Sequence, residues 1–216
     1  MAKTRARFIA RNDLPGLVKQ QVTAGSKGDL GCELISVSSA PLRTHLNKGE
    51  ALERMQSQRF DDMGLQEQST LPIKNSTCCL ENVHDFDALI RKAGVCTVLY
   101  MTWARRNAPQ TQDALSTVCI HKNKATGAIV VLAGLAWQRC LQEYPDILLH
   151  DKDPSYSNLV GSDLAACPFY AALFPGHPCS PLYTRHYHRP ARPRDLRRPH
   201  CHTGDNARLQ IRTTLI

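Results

Sequence analysis

Apolar, β-favouring runs alternate with helix-spaced segments through residues 30–175, and this alternation constrains the fold more than any other feature. The runs at 95–101 and 128–132 are almost continuously apolar, which is typical of strands buried on both faces. Residues 80–93 have helical spacing, and Gly94 ends that helix. The pattern predicts an α/β fold of the flavodoxin-like kind, with α/β/α layers around a parallel sheet of four or five strands. The other strands are predicted at 30–37 and 61–66, and the other helices at 14–24, 47–58, 110–125, 135–143 and 162–173.

The composition changes after residue 175, where proline, arginine and histidine replace the apolar pattern. Residues 176–216 hold eight arginines against two aspartates, so +6 of the net charge of +8 lies there. Such a segment buries too little apolar surface to offset the entropy of an ordered chain. We therefore predict one domain over 1–175 and a basic, disordered tail over 176–216.

Composition also bears on the compartment. The longest apolar run, around 128–136, is too short to span a bilayer, and the first ten residues lack the apolar core of a signal peptide. The nine cysteines include no CxxC pair, and most lie in apolar stretches. We expect a cytoplasmic protein that does not bind membranes, with reduced cysteines acting as small apolar residues.

Three segments at predicted loops resemble the SGNH/GDSL ester hydrolases. They are Leu65-Gln66-Glu67-Gln68-Ser69, Leu99-Tyr100-Met101-Thr102-Trp103-Ala104, and the block from Asp153 to Ala166. The resemblance covers roughly residues 8–175. It implies acyl transfer from a small acyl or carbohydrate ester by a serine, a histidine and an aspartate, with amide groups stabilising the oxyanion.

The resemblance assigns three site residues. Asp153 takes the place of the aspartate that orients the histidine, and Gln66 takes the place of the amide side chain that binds the oxyanion. Tyr156 stands where the Asp-x-x-His pattern requires imidazole. A phenol titrates near pH 10 and is a poor base at neutral pH.

Two further parts of the family pattern are altered. The glycine amide after the second family strand would fall at Ser38-Ser39-Ala40, which has no glycine. The nucleophilic serine would follow Phe8-Ile9, yet the chain continues directly into 10–15 without a serine. The resemblance therefore implies a truncated first strand and a degenerate, inactive or severely impaired member.

Other residues could replace the missing groups, although a structural role is the stronger interpretation for each. Ser69 is more simply a loop or capping serine than a nucleophile. His150 is expected to be an exposed histidine at the end of a strand, and His45 a residue that leads into a helix. Trp103, with Arg105 and Arg106 behind it, either lines the pocket or simply packs.

The tail allows a rival chemistry, since several histidines and cysteines there could bind zinc. Their spacing matches no known zinc pattern, so we predict no metal and no cofactor. Its arginines lack interleaved aromatic residues, so we expect no specific nucleic-acid partner. The alternatives to an impaired hydrolase are a non-catalytic ligand-binding module and a polyanion binder that acts through the tail; the oligomeric state is open. The possible zinc ligands are Cys179, His186, His188, His200, Cys201 and His202.

Overall fold

A parallel sheet of five strands forms the centre of the protein, seen here in a computed structural model that describes residues 11–25, 29–37, 40–173 and 210–215. Every described pairing between neighbouring strands is parallel, as the apolar runs predicted. The strands are β1 (Asp29–Leu34), β2 (Asp62–Leu65), β3 (Cys96–Tyr100), β4 (Ile129–Val131) and β5 (Gln210–Leu215), in the spatial order β1-β5-β2-β3-β4.

Eight α-helices occur in the described residues, and their starts and stops follow local signals. Asp13 Oδ1 accepts a hydrogen bond from the Gly16 amide at 3.2 Å, so it caps the first helix. The helix predicted over 47–58 covers 50–57, and Gly49, with a left-handed φ of 72°, separates it from a helix over 42–48 that was not predicted. The helices are α1 (Leu14–Gly25), α2 (Leu42–Lys48), α3 (Glu50–Ser57), α4 (Leu71–Lys74), α5 (Ser76–Lys92), α6 (Gln112–Thr126), α7 (Ala133–Glu143) and α8 (Leu159–Leu173).

The central strand comes from the end of the printed sequence. All six residues of β5 pair with β1, and Thr213 to Leu215 also pair with β2. The prediction that everything after residue 175 forms a separate disordered tail is therefore wrong for 210–215. The rest of the tail, and the truncated first strand expected near Phe8-Ile9, lie outside the described residues. Three of the six residues of β5 are β-branched, which favours a strand. A run of six residues that contains an arginine is too short a pattern to identify a strand from the sequence.

Each face of the sheet carries its own core. On one face Val98 and Tyr100 pack in a cluster that includes residues of α1, α7 and α8. On the other face Leu65 and Leu99 pack in a cluster that includes residues of α2, α3 and α5. Val98, Leu99 and Tyr100 thus alternate between the two clusters, as the two-residue period of a strand requires. The result is the three-layer arrangement predicted from the sequence.

None of the helices in the described part of the chain combines the length and apolar character needed to cross a bilayer.

Phe86→Ala should lower the free energy of unfolding by about 3–5 kcal/mol, because it leaves a cavity beneath α5. Phe86 is 1% exposed and belongs to the cluster between α5 and the sheet. Urea unfolding followed by circular dichroism measures the loss. Ile120→Ala, at a helical position that is 43% exposed, is the control and should change stability by less than about 1 kcal/mol. Equal losses in the two variants would contradict this account of the core.

Candidate active site

The loops at the carboxyl edge of the sheet meet around the segment before α8. The loop after β3 holds that segment twice: Trp103 Nε1 donates to the Ser155 carbonyl at 3.3 Å, and the Arg106 amide donates to the Pro154 carbonyl at 2.9 Å. Parallel α/β sheets bind ligands at this edge, where loops from several strands come together. The structure thus brings two of the three sequence segments with the family resemblance into direct contact.

Asp153 and Tyr156 lie in one tight turn. The Tyr156 amide donates to the Asp153 carbonyl at 3.3 Å, and the Tyr156 carbonyl accepts from the Asp151 amide at 2.8 Å. The exposed Asp153 carboxylate accepts from the Ser155 amide at 2.8 Å, an Asx-type contact that stabilises the turn. The structure therefore places the predicted pair, Asp153 and Tyr156, in one turn.

Gln66 stands on a different loop, directly after β2. Leu65 and Leu99 are the last residues through which β2 pairs with β3. Gln66 directly follows Leu65, and Tyr100 directly follows Leu99. The Oε1 atom of Gln66 and the hydroxyl of Tyr100 are both buried without a hydrogen-bond partner among the described residues. Burial raises the pKa of Tyr100, so its hydroxyl stays protonated. Gln66 is thus positioned at the carboxyl edge with an acceptor that the described fold leaves unpaired.

Residues 11–13, just ahead of α1, form a strained turn, whereas the position expected for the nucleophile, directly after Phe8-Ile9, lies outside the described residues. Asn12 and Asp13 have φ angles of 58° and 50°, in the left-handed region that non-glycine residues seldom adopt. Asn12 Nδ2 donates to the Ser157 carbonyl at 3.1 Å and to Ser162 Oγ at 3.0 Å. The head of α1 is therefore fastened to the head of α8 through an amide side chain, with no serine among residues 11–13.

The expected glycine position is only partly described, since Ser38 and Ser39 lie outside the described residues. The Ala40 amide donates to the Val37 carbonyl at 3.2 Å. That amide is already committed to a turn, so it is not available to an oxyanion in this arrangement.

Glu67 organises this edge, although sequence reasoning assigned it no role. It is 6% exposed, and its Oε1 accepts from the amides of Leu42 at 3.0 Å and Gln68 at 2.8 Å. Its Oε2 accepts from Asn82 Nδ2 at 2.9 Å. One buried carboxylate thus joins α2, the loop after β2 and α5. The sequence signal for Glu67 was an acidic residue close to the end of an apolar strand. Its partners Leu42 and Asn82 are distant in sequence, so the local pattern of residues could not identify them.

His150 is buried, so the expectation of an exposed histidine is wrong. Its ring lies edge-on to Trp137 at 4.9 Å, and its Nε2 is 3.1 Å from the Ala104 carbonyl. Trp137 stacks in turn on Trp103, with ring centroids 4.0 Å apart. Burial lowers the pKa of His150, which is held by packing rather than by a nucleophile. His45 is buried within α2, and burial lowers its pKa also.

A cavity of about 180 Å³ opens beside these loops, and most of its lining is apolar. Ser69 lines it, as do Trp103 and Ser155, but histidine is not among the lining residues. Lys74 and Arg105 place positive charge at its exposed margin. Trp103 therefore both packs in the core and lines the cavity, whereas Ser69 reaches the cavity without a base to activate it.

Comparison with solved structures identifies the fold. A candidate SGNH hydrolase from Slackia heliotrinireducens matches with a TM-score of 0.60 at 19% identity, over 76% of this chain and 93% of that one. An esterase from Pseudoalteromonas sp. matches with a TM-score of 0.55 at 12% identity, over 76% and 86%. A variant of an acetyl xylan esterase from Geobacillus stearothermophilus matches with a TM-score of 0.53 at 12% identity, over 74% and 81%.

No family model and no curated protein matches the sequence. The architecture is nevertheless that of the SGNH hydrolases, as the three sequence segments predicted. Within that fold, Asp153 and Tyr156 share a turn, Gln66 ends the neighbouring strand, and Asn12 stands at the head of α1.

Glu67→Ala should lower the free energy of unfolding by about 2–4 kcal/mol, because it leaves the buried Leu42 amide, the partly buried Gln68 amide and the Asn82 side chain without an acceptor. Glu67→Gln, which keeps an oxygen for part of this set, should lose less. Chemical denaturation measures both. The matched control is Glu81→Ala at an exposed position of α5, which should stay within about 0.5 kcal/mol of the parent. A loss at Glu81 as large as at Glu67 would refute the organising role.

The free energy of unfolding should fall as the pH drops below about 6.5, the ordinary pKa of histidine. Because the pKa values of His150 and His45 are lowered in the folded protein, the unfolded chain binds protons at these residues more readily. Denaturation at pH 5.5 and 7.5 measures the difference. His150→Gln should reduce this pH dependence, whereas His84→Gln, at an exposed position, should leave it unchanged. An undiminished pH dependence in His150→Gln would contradict the assignment.

Proposed function

We propose that this chain is a degenerate relative of the SGNH ester hydrolases that keeps the ligand-binding edge of the fold and has lost ester turnover. The observation that carries the proposal is the turn before α8, where Tyr156 stands three residues after Asp153 and the carboxylate bonds the Ser155 amide. At neutral pH this turn offers no imidazole to accept a proton from a serine.

The nucleophile is affected independently. The turn into α1 presents Asn12, whose side chain bonds Ser157 and Ser162 at the head of α8. Those two hydroxyls are 2.7 Å apart and buried, so they satisfy each other instead of facing the cavity. Ser69 faces the cavity without a histidine among its neighbours there. Because nucleophile and base act as a unit, either loss alone would remove most of the rate.

The cavity supports ligand binding without turnover. Trp103 forms one wall and bonds the loop before α8, and Ser69 and Ser155 also line the cavity, so an occupant would contact all three segments that carry the family resemblance. The apolar lining suits a short acyl chain, and the charged margin of Lys74 and Arg105 suits a carbonyl or carboxylate oxygen. We infer that the ligand is a small acyl or carbohydrate ester, or the acid released from one.

The chain should not hydrolyse short acyl esters or react with serine-directed phosphonates. Turnover of p-nitrophenyl butyrate should equal that of an unrelated control protein, and mass spectrometry after phosphonate treatment should show unmodified chain. Ser69→Ala should behave identically to the parent. Stoichiometric labelling of any serine would show that a substitute nucleophile exists and would overturn the proposal.

Ligand binding is tested separately, with methyl butyrate as the probe. Saturable binding should change the fluorescence of Trp103, which lines the cavity and is stacked on Trp137. Ala108→Phe fills the cavity and should weaken binding at least about tenfold. Ala125→Phe adds the same ring at an exposed position of α6 and should bind as the parent does. Equal affinities in all three proteins would show that this cavity is not the binding site.

A further inference from the structure

The margin of the cavity beside the carboxyl edge carries a positive charge. Among the described residues that line the cavity, Lys74 and Arg105 are the charged ones, and both are cations. Both residues are exposed, and neither has a carboxylate within ion-pair distance in the described part of the chain. A molecule that enters the cavity therefore meets two positive charges that the described fold does not pair.

The acidic side chains of the neighbouring loops make contacts of a different kind. The buried carboxylate of Glu67 accepts hydrogen bonds from the amides of Leu42 and Gln68 and from the side chain of Asn82. The Asp153 carboxylate accepts a hydrogen bond from the Ser155 amide within its own turn. These carboxylates hold loops in place, and neither of them lines the cavity.

The backbone that carries each cation is fixed by hydrogen bonds. The Arg105 carbonyl accepts from the Ala108 amide at 2.9 Å, in the loop after β3. Lys74 ends α4, and its amide donates to the Thr70 carbonyl at 3.0 Å. The hydroxyl of Thr70 is bonded in turn to Gln68 Oε1 at 2.9 Å. The points from which both side chains extend are thus set before a ligand arrives, which lowers the entropy cost of binding.

The interior of the cavity differs from its margin, because it is apolar and small. Ile73, Trp103 and Leu115 contribute apolar surface, and the volume is about 180 Å³. A cavity of about 150 Å³ can hold a benzene molecule, so this one suits a ligand of about six heavy atoms. An apolar interior next to two cations favours a short aliphatic chain that ends in an anion.

We propose that the cavity selects a short aliphatic carboxylate over the corresponding ester. The alkyl chain packs against Trp103, and the carboxylate forms charge-assisted contacts with Lys74 and Arg105. An ester is neutral, so it would leave both cations without an anionic partner. The inference rests on the proposed function, because it concerns the ligand of the same cavity. Its ligand is the acid that ester hydrolysis releases, so an ester-cleaving reaction is the class of reaction that supplies it.

Butyrate and methyl butyrate are the matched probes, since they share an alkyl chain and differ in charge. Butyrate is ionised at pH 7, because carboxyl groups titrate near pH 4. Calorimetric titration of the full chain should show that butyrate binds at least about fivefold more tightly, the gain expected from one favourable exposed ion pair. Raising the ionic strength should weaken the binding of butyrate and leave that of methyl butyrate unchanged.

Two double variants test the assignment of the cations. Lys74→Gln with Arg105→Gln should remove the preference for butyrate without changing the affinity for methyl butyrate. Lys74→Glu with Arg105→Glu should make the cavity prefer butylammonium to butyrate. The control, Lys92→Gln with Lys124→Gln, removes the same charge at exposed positions outside the lining and should keep the parent's preference. Circular dichroism checks that every variant is folded.

Three results would overturn the proposal. If methyl butyrate binds as tightly as butyrate, the cavity does not select an anion, although the proposed function stands. If the preference survives Lys74→Gln with Arg105→Gln, or is lost in the control pair, these two cations are not its source. If neither probe binds, the cavity is not a ligand site, and the proposed binding function fails together with this inference.

Discussion

The parallel pairing of β5 with β1 and β2 is the contact on which the rest of the fold depends. β1 has no other strand partner in the described structure, so without β5 the sheet would separate into one strand and a group of three. The two cores depend on a continuous sheet, because residues of successive strands alternate between them. Backbone hydrogen bonding at the centre thus supports apolar packing on both faces.

The carboxyl edge of the sheet is held together by contacts between loops that are distant in sequence. Its loops are held by Glu67, which accepts hydrogen bonds from the adjacent Gln68 and from Leu42 and Asn82 in distant segments, and by the stacked Trp103 and Trp137. None of these contacts requires a nucleophile or a base. Their role is structural, so selection for a folded protein alone would retain them.

Much of the fold could be predicted locally, and the site only in part. Periodicity predicted the strands up to β4 and the helices other than the short α2 and α4, because most of these elements have a long apolar run or a clear cap, such as Asp13. The resemblance predicted that Asp153 and Tyr156 belong together, and they share a turn. It did not reveal the burial of His150 or the partners of Glu67. Those depend on Ala104, Trp137, Leu42 and Asn82, which are distant in sequence.

The sequence by itself determined the α/β alternation and the parallel sheet, because these are properties of residue type and local spacing. Only the tertiary structure decided which segment fills the centre of the sheet. Gln210–Leu215 has a weak local signal, and its strand conformation depends on hydrogen bonds to β1 and β2 on either side. Such bonds join residues far apart in the chain, so no local pattern of residues can specify them.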